Sequence, residues 1–225
     1  EDGIRDHCVT GVQTCALPIC VPEQEQGARE LEVQRWDEMR AFPGLLVLDA
    51  DGLNRLARTG GMGLGGAAWL AKRAGPSWIT PHAGEFARLF PAWAELAPLE
   101  GAARAAEHCG AAVLLKGPRS VVAAPDGRRW QLREASPAVA RAGLGDVLAG
   151  YSAARGARAM AALPTPQELD ACLLAAAALD HACAGLARGQ AGGDAGPGTA
   201  TTPQAVAEAL GVQGERERGR PTAGA

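Results

Sequence analysis

The chain predicts an α/β fold, a mostly parallel sheet with helices on both faces. Three observations carry this: short continuous apolar runs, helical patterns alternating with them, and polar glycine-bearing segments where runs end. The run at 45–48 (Leu-Leu-Val-Leu), which stops at Asp49, suits a parallel strand buried on both faces. Further strands are predicted at 77–79, 112–115, 120–123 and 129–132, with helices at 53–58, 67–73, 85–90 and 100–108 falling between them. After Asp146 the pattern turns to helices at 147–159, 167–187 and 204–210, separated by Pro164, Pro166 and a glycine-rich stretch at 189–198. No internal repeat is visible.

Residues 1–6 (EDGIRD) and 9–19 (VTGVQTCALPI) read as translated sequencing-library adapter, with His7 and Cys8 filling the codons of a sample index. Both flanks fit one reading frame. Asp2, Asp6 and the lack of an apolar centre argue against a secretory signal. Residues 1–19 are therefore expected to lie outside the fold, 20–211 to form one domain lacking its N-terminal part, and the polar 212–225 to be a disordered tail. That length suits one domain with a sizeable core.

The net charge of −3, without a basic block, argues against nucleic acid as a partner. Setting aside Cys8, Cys15 and the junction residue Cys20, the widely spaced Cys109, Cys172 and Cys183 fit a reducing cytoplasm better than a disulfide framework or a zinc site. No apolar run reaches the length of a membrane span; the stretch at 173–179 is cut by Asp180 and His181. A cytoplasmic protein without membrane contact is expected.

Four segments could carry chemistry. In Ala142-Gly143-Leu144-Gly145-Asp146 the glycines let backbone N–H groups approach a phosphate at a helix start, and Asp146 stands where it could take a proton from a hydroxyl. A plain loop with Asp146 as helix cap has the same pattern. Asp49-Ala50-Asp51-Gly52-Leu53-Asn54 offers two acids and an amide for a metal, a ribose or a hydroxyl, or a cap from Asp51 and a turn bond from Asn54. Thr80-Pro81-His82-Ala83-Gly84-Glu85 puts a ring after a strand, as a hydrogen-bonding group or as exposed decoration. Lys116-Gly117-Pro118-Arg119-Ser120 puts a cation and a hydroxyl between two strands, either toward a phosphate or into solvent. The glycine run at 60–66 lacks a Walker lysine and follows no strand, so a flexible linker is expected there.

Taken in order, these segments resemble the ADP- or ATP-dependent NAD(P)H-hydrate dehydratases of the ribokinase-like superfamily. LVLDADGLN is similar to the family's LDADALN, TPHAGE to TPHPGE, LKGPRS to LKGAxT and AGLGDVLAG to GGTGDVLAG, while Ser136-Pro137-Ala138 is similar to Asn-Pro-Gly. The resemblance covers about 45–210 and implies a ribokinase-like sheet. It implies that His82 and Asp146 contact hydrated nicotinamide, that Lys116, Gly117, Pro118, Arg119, Ser120 and Gly145 contact an adenine nucleotide, and that Asp146 is the catalytic base. It further implies ADP or ATP as co-substrate with Mg2+, whose ligands the sequence does not locate, and an epimerase domain or protein as partner, with room for a homo-oligomer. Arg141, Ala142 and Leu144 depart from the family's small residues and are expected to narrow the phosphate site; the family's Gly-Pro-Gly-Leu-Gly loop is absent from the chain. The implied activity repairs the S epimer of NAD(P)H hydrate by phosphorylation and elimination. Another ribokinase-like small-molecule kinase and a non-catalytic nucleotide-binding fragment are the alternatives.

Overall fold

The apolar runs become strands where the sequence puts them, and their alternation decides which side chains face which helical layer. The computed structural model describes residues 13–14, 25–63, 65–133, 142–191 and 202–218. Its strands are Gln13–Thr14 (β1), Leu46–Leu48 (β2), Ser77–Ile79 (β3), Ala112–Leu115 (β4), Val121–Ala123 (β5) and Arg129–Gln131 (β6), lying side by side in that order. β1 to β4 run parallel, whereas β5 is antiparallel to both β4 and β6. The helices are Glu25–Ala41 (α1), Ala50–Gly63 (α2), Gly66–Ala71 (α3), Ala83–Leu89 (α4), Pro98–Cys109 (α5), Leu144–Met160 (α6), Cys172–Ala191 (α7) and Pro203–Arg218 (α8).

Because strand side chains alternate, each run feeds two cores. Leu46, Leu48, Ile79, Val113, Leu115 and Val121 join one cluster with Trp36 of α1, Leu53 and Leu56 of α2, Trp69 of α3 and Phe86 of α4. Leu45, Val47, Trp78, Ala112, Leu114 and Val122 join the other with Leu148 and Ala153 of α6 and Leu174 of α7. Parallel β strands buried on both faces therefore explain the uninterrupted apolar runs. Arg73 ties the lower loops together, donating to the carbonyls of Met39 and Gly44 and to Ser77 Oγ, and its burial pulls the guanidinium down to about 10.

Several expectations are corrected. The polar helix α1 was not foreseen: its periodic signal is weak, and it is anchored by Trp36, whose ring meets Trp69 edge-on at 5.0 Å. The glycine run is no linker up to Gly63, since α2 continues through it; each helical glycine costs only about 1 kcal/mol relative to alanine. Glycine is instead needed at Gly65, whose φ of 72° starts α3, and at Gly66, where a Cβ would press on Leu56 and Leu89. The helix expected from 167 is a 3-10 turn, Pro166–Glu168, and α7 starts only at Cys172, whose N–H donates to Asp170 Oδ1 at 2.7 Å. The expected tail is helical as far as Arg218, because Gln213, Glu215, Arg216 and Glu217 are good helix formers and no proline intervenes before Pro221.

Within the segment set aside as adapter-derived, Gln13–Thr14 pairs with β2 (Gln13 with Leu46, Thr14 with Val47). The open backbone edge of β2 accepts any extended segment, whatever its side chains. Among the described residues no helix is long and apolar enough to cross a membrane, and Cys109, Cys172 and Cys183 are free thiols.

Candidate active site

The strand ends of β2, β3 and β4 lie next to one another, so the segments that follow them share one edge of the sheet. Backbone bonds extend the ladder past the strands: Thr80 N–H donates to the Leu48 carbonyl at 3.0 Å, and Lys116 N–H to the Pro81 carbonyl at 2.8 Å, leaving His82 and Lys116 bridged in parallel. In open α/β sheets this carboxyl edge is where ligands bind.

Lys116 leaves β4 and reaches back across the sheet. Its Nζ donates to Asp49 Oδ1 at 2.6 Å, and both side chains are mostly buried, 22% and 12% exposed. The residues after it make a tight turn in which Ser120 Oγ accepts from Gly117 N–H and donates to the Gly117 carbonyl, both at 3.3 Å. Gly117, Pro118 and Arg119 are exposed at this turn, and the Ser120 hydroxyl holds it closed.

The third component is the start of α6. Gly143, at φ 84°, is its N-cap, so Leu144, Gly145 and Asp146 form the first turn, whose free N–H groups and helix dipole favour an anion. A Cβ built on Gly145 would sit 3.5 Å from Lys116 Nζ and 3.6 Å from Asp49 Oδ2. The helix start thus faces the lysine and its carboxylate partner. Asp146 is exposed on the same turn.

Leu144 corrects one expectation: it is 2% exposed and packs with Ala184, Val206 and Leu210, so its bulk fills the contact with α7 and α8. Arg141 and Ser136-Pro137-Ala138 lie outside the described residues.

His82 is the N-cap of α4. Its Nδ1 accepts from Gly84 N–H at 3.0 Å and from Glu85 N–H at 3.4 Å, while the buried Glu85 carboxylate accepts from His82 N–H at 2.8 Å, a reciprocal capping box. With Nδ1 occupied as acceptor, the neutral ring carries its proton on Nε2, 3.3 Å from Glu85 Oε1, and its side chain is 55% exposed. The ring is neither loose decoration nor buried; it is a fixed N–H donor at the sheet edge.

Of the residues after β2, Asn54 does not bond its own turn: its Oδ1 accepts from Arg88 of α4 at 2.7 Å. Asp51 lies in the first turn of α2. Asp49, singled out by sequence with several possible roles, is the acid that the structure brings to Lys116. Sequence reasoning missed His181 on α7, whose imidazole hydrogen-bonds the Leu144 backbone while its Nε2 has no partner. Burial pushes this imidazole below its ordinary value, so it holds the first turn of α6 as a neutral ring. The only sequence sign was a polar pair interrupting an alanine-rich run.

An apolar groove of about 530 Å3 between β6 and α7 is lined by Trp130, Leu132 and Leu179 and includes none of the residues above. Among the described residues no group of three or more His, Cys, Asp or Glu side chains could hold a metal ion. Mg2+ typically rests on one or two carboxylates plus nucleotide phosphates and does not need a dedicated all-protein cage.

The NAD(P)H-hydrate dehydratase family model matches residues 23–202. The bifunctional NAD(P)H-hydrate repair enzyme Nnr of Synechocystis sp. is 37% identical over 182 residues, 73% of this chain and 32% of that protein. The chain thus spans about a third of the length of this curated relative. Among solved structures, an ADP/ATP-dependent NAD(P)H-hydrate dehydratase from Bacillus subtilis, co-crystallized with ATP/Mg2+ and soaked with CoA, superposes with a TM-score of 0.58 at 23% identity, covering 83% of this chain and 62% of that one. A ribokinase-like superfamily protein from Enterococcus faecalis superposes at 0.54 with 18% identity, covering 84% and 68%. The fold is ribokinase-like, and with the family model running from α1 to the threshold of α8 the chain belongs to the NAD(P)H-hydrate dehydratase family.

Proposed function

We propose that the complete protein dehydrates the S epimer of NAD(P)H hydrate back to NAD(P)H at the expense of ADP or ATP, in the cytoplasm, with an epimerase supplying the S form. The observation that carries this reading is the meeting of three chain segments: Lys116 Nζ and Asp49 stand within 4 Å of the Cβ position of Gly145 at the start of α6. A cation beside free helix N–H groups is an arrangement for a phosphoryl group.

In this reading Lys116, the turn through Gly117, Pro118, Arg119 and Ser120, and the Gly145 amide hold the nucleotide phosphates. His82 offers its Nε2 proton to the hydrated ring, and the exposed Asp146 carboxylate takes the proton of the ring hydroxyl. The freed oxygen attacks the terminal phosphorus, whose bond to the bridging oxygen breaks and leaves the shortened nucleotide. The ring nitrogen's lone pair then expels phosphate as the carbon–oxygen bond breaks, and loss of a proton from the adjacent carbon restores the double bond. Mg2+ would offset charge on the phosphates. Catalysis of this kind rests on positioning and charge stabilisation.

The test uses a chain extended upstream to include the family's glycine loop. Recovery of NADH absorbance from NADH hydrate with ADP or ATP is expected for the parent and is expected to fall at least about a hundredfold in Asp146→Asn, with ADP affinity kept within a few-fold. Equal turnover in the variant would remove Asp146 as the base. ADP-dependent phosphorylation of a small alcohol or vitamin precursor, without dehydration of NADH hydrate, would favour another ribokinase-like kinase.

A further inference from the structure

Asp49 has no part in the phosphate and proton roles above, yet it makes the shortest side-chain contact with the lysine at the centre of them, 2.6 Å from Lys116 Nζ. The two residues lie 67 positions apart, at the ends of β2 and β4 with β3 between them, so the bond spans the sheet edge. The backbone beside it is strained: directly after Asp49, Ala50 sits at φ 44°, the only non-glycine in the left-handed region among the described residues, and α2 begins there. An L-residue resists that conformation, which persists only where surroundings impose it. The other carboxylate oxygen, Oδ2, is the one 3.6 Å from the Gly145 Cβ position, so Asp49 touches Lys116 and faces the helix start together.

We infer that Asp49 is a positioning residue that serves as the resting counter-ion of Lys116, keeping the ammonium aimed at the first turn of α6 and yielding it to a nucleotide phosphate. This inference rests on the nucleotide reading proposed above. The mostly buried pair presents almost no net charge to an incoming anion, so the phosphate must compete with the carboxylate for the same ammonium. Replacing the carboxylate by an amide keeps the size and an oxygen that can accept from Nζ, and removes the competitor.

The experiment is a double-mutant cycle read by calorimetric titration of ADP into the 225-residue chain and its Asp49→Asn, Lys116→Met and doubly substituted forms. Asp49→Asn is expected to tighten ADP binding about three- to tenfold when Lys116 is present and to change it by a clearly different factor in the Lys116→Met background, where the carboxylate has lost its ammonium partner. A merely structural Asp49 would alter both backgrounds alike. Asp49→Ser removes the same charge with a smaller side chain and gives the same comparison if the asparagine variant does not fold. Equal ADP affinity in parent and Asp49→Asn, or the same change in both backgrounds, overturns the inference while leaving the nucleotide reading standing. Absence of ADP binding by the parent overturns the nucleotide reading, and this inference with it.

Discussion

On one face of the sheet α1, α3 and the α4 segment pack through large side chains, Trp36, Trp69, Phe86 and Phe90 among them, beside an α5 that packs through alanines, whereas on the other face α6 and α7 pack through alanine, leucine and a glycine. The difference lies in how closely a helix may approach. Gly156 of α6 stands over Leu45 and Trp78, where a Cβ would overlap the leucine methyl and lie 3.0 Å from the indole. That close approach fixes the helix whose first turn faces Lys116 and Asp49. The bulk of Trp36, Trp69 and Phe86 supplies stability; the smallness of Gly156 also sets the site.

The two faces can be separated by substitution. Trp69→Ala is expected to cost the most stability, about 3–5 kcal/mol, because it empties a fully buried site against Trp36. Thermal or urea unfolding measures the loss, and ADP affinity of the folded variant is expected to stay within twofold or so of the parent. Gly156→Ala is expected to cost less, about 1–3 kcal/mol of overpacking, yet to weaken ADP binding several-fold by pushing α6 off the sheet. Equal effects of the two variants on ADP affinity would break the division.

A smaller effect sharpens it at the joint between α6 and α7. His181 is 7% exposed, and burial holds its imidazole below the ordinary 6.5. The unfolded chain therefore binds a proton before the folded one does, so the neutral ring's contribution is complete above the unfolded value and is lost as pH falls below it. Between about pH 7 and about pH 5 the parent is expected to lose thermal stability more steeply than His181→Phe. Parallel curves for the two proteins would show that His181 does not titrate against the fold.

Much of this was legible. Strands at 77–79 and 112–115 were readable to the residue because a strand buried on both faces leaves an unbroken apolar run. The placement of the candidate segments at strand ends was legible, since Asp49, His82 and Lys116 each follow an apolar run. What stayed hidden depends on partners distant in sequence. Nothing near Asp49 announces a lysine two strands away, nothing in the polar α1 announces that Trp36 would meet Trp69, and helical continuation through Gly60-Gly61-Met62-Gly63 reverses the local preference of glycine. The role of Leu144 was also misread from sequence, because which side of a helix start a residue faces is decided by α7 and α8.

The strand ends and the start of α6 are proposed to form one phosphate-binding cleft. A crystal structure of the chain with ADP tests it most directly. A phosphate oxygen is expected within about 2.7–3.2 Å of both the Gly145 amide nitrogen and Lys116 Nζ, with the nucleotide absent from the apolar groove between β6 and α7. Phosphates bound away from both Gly145 and Lys116 would contradict it.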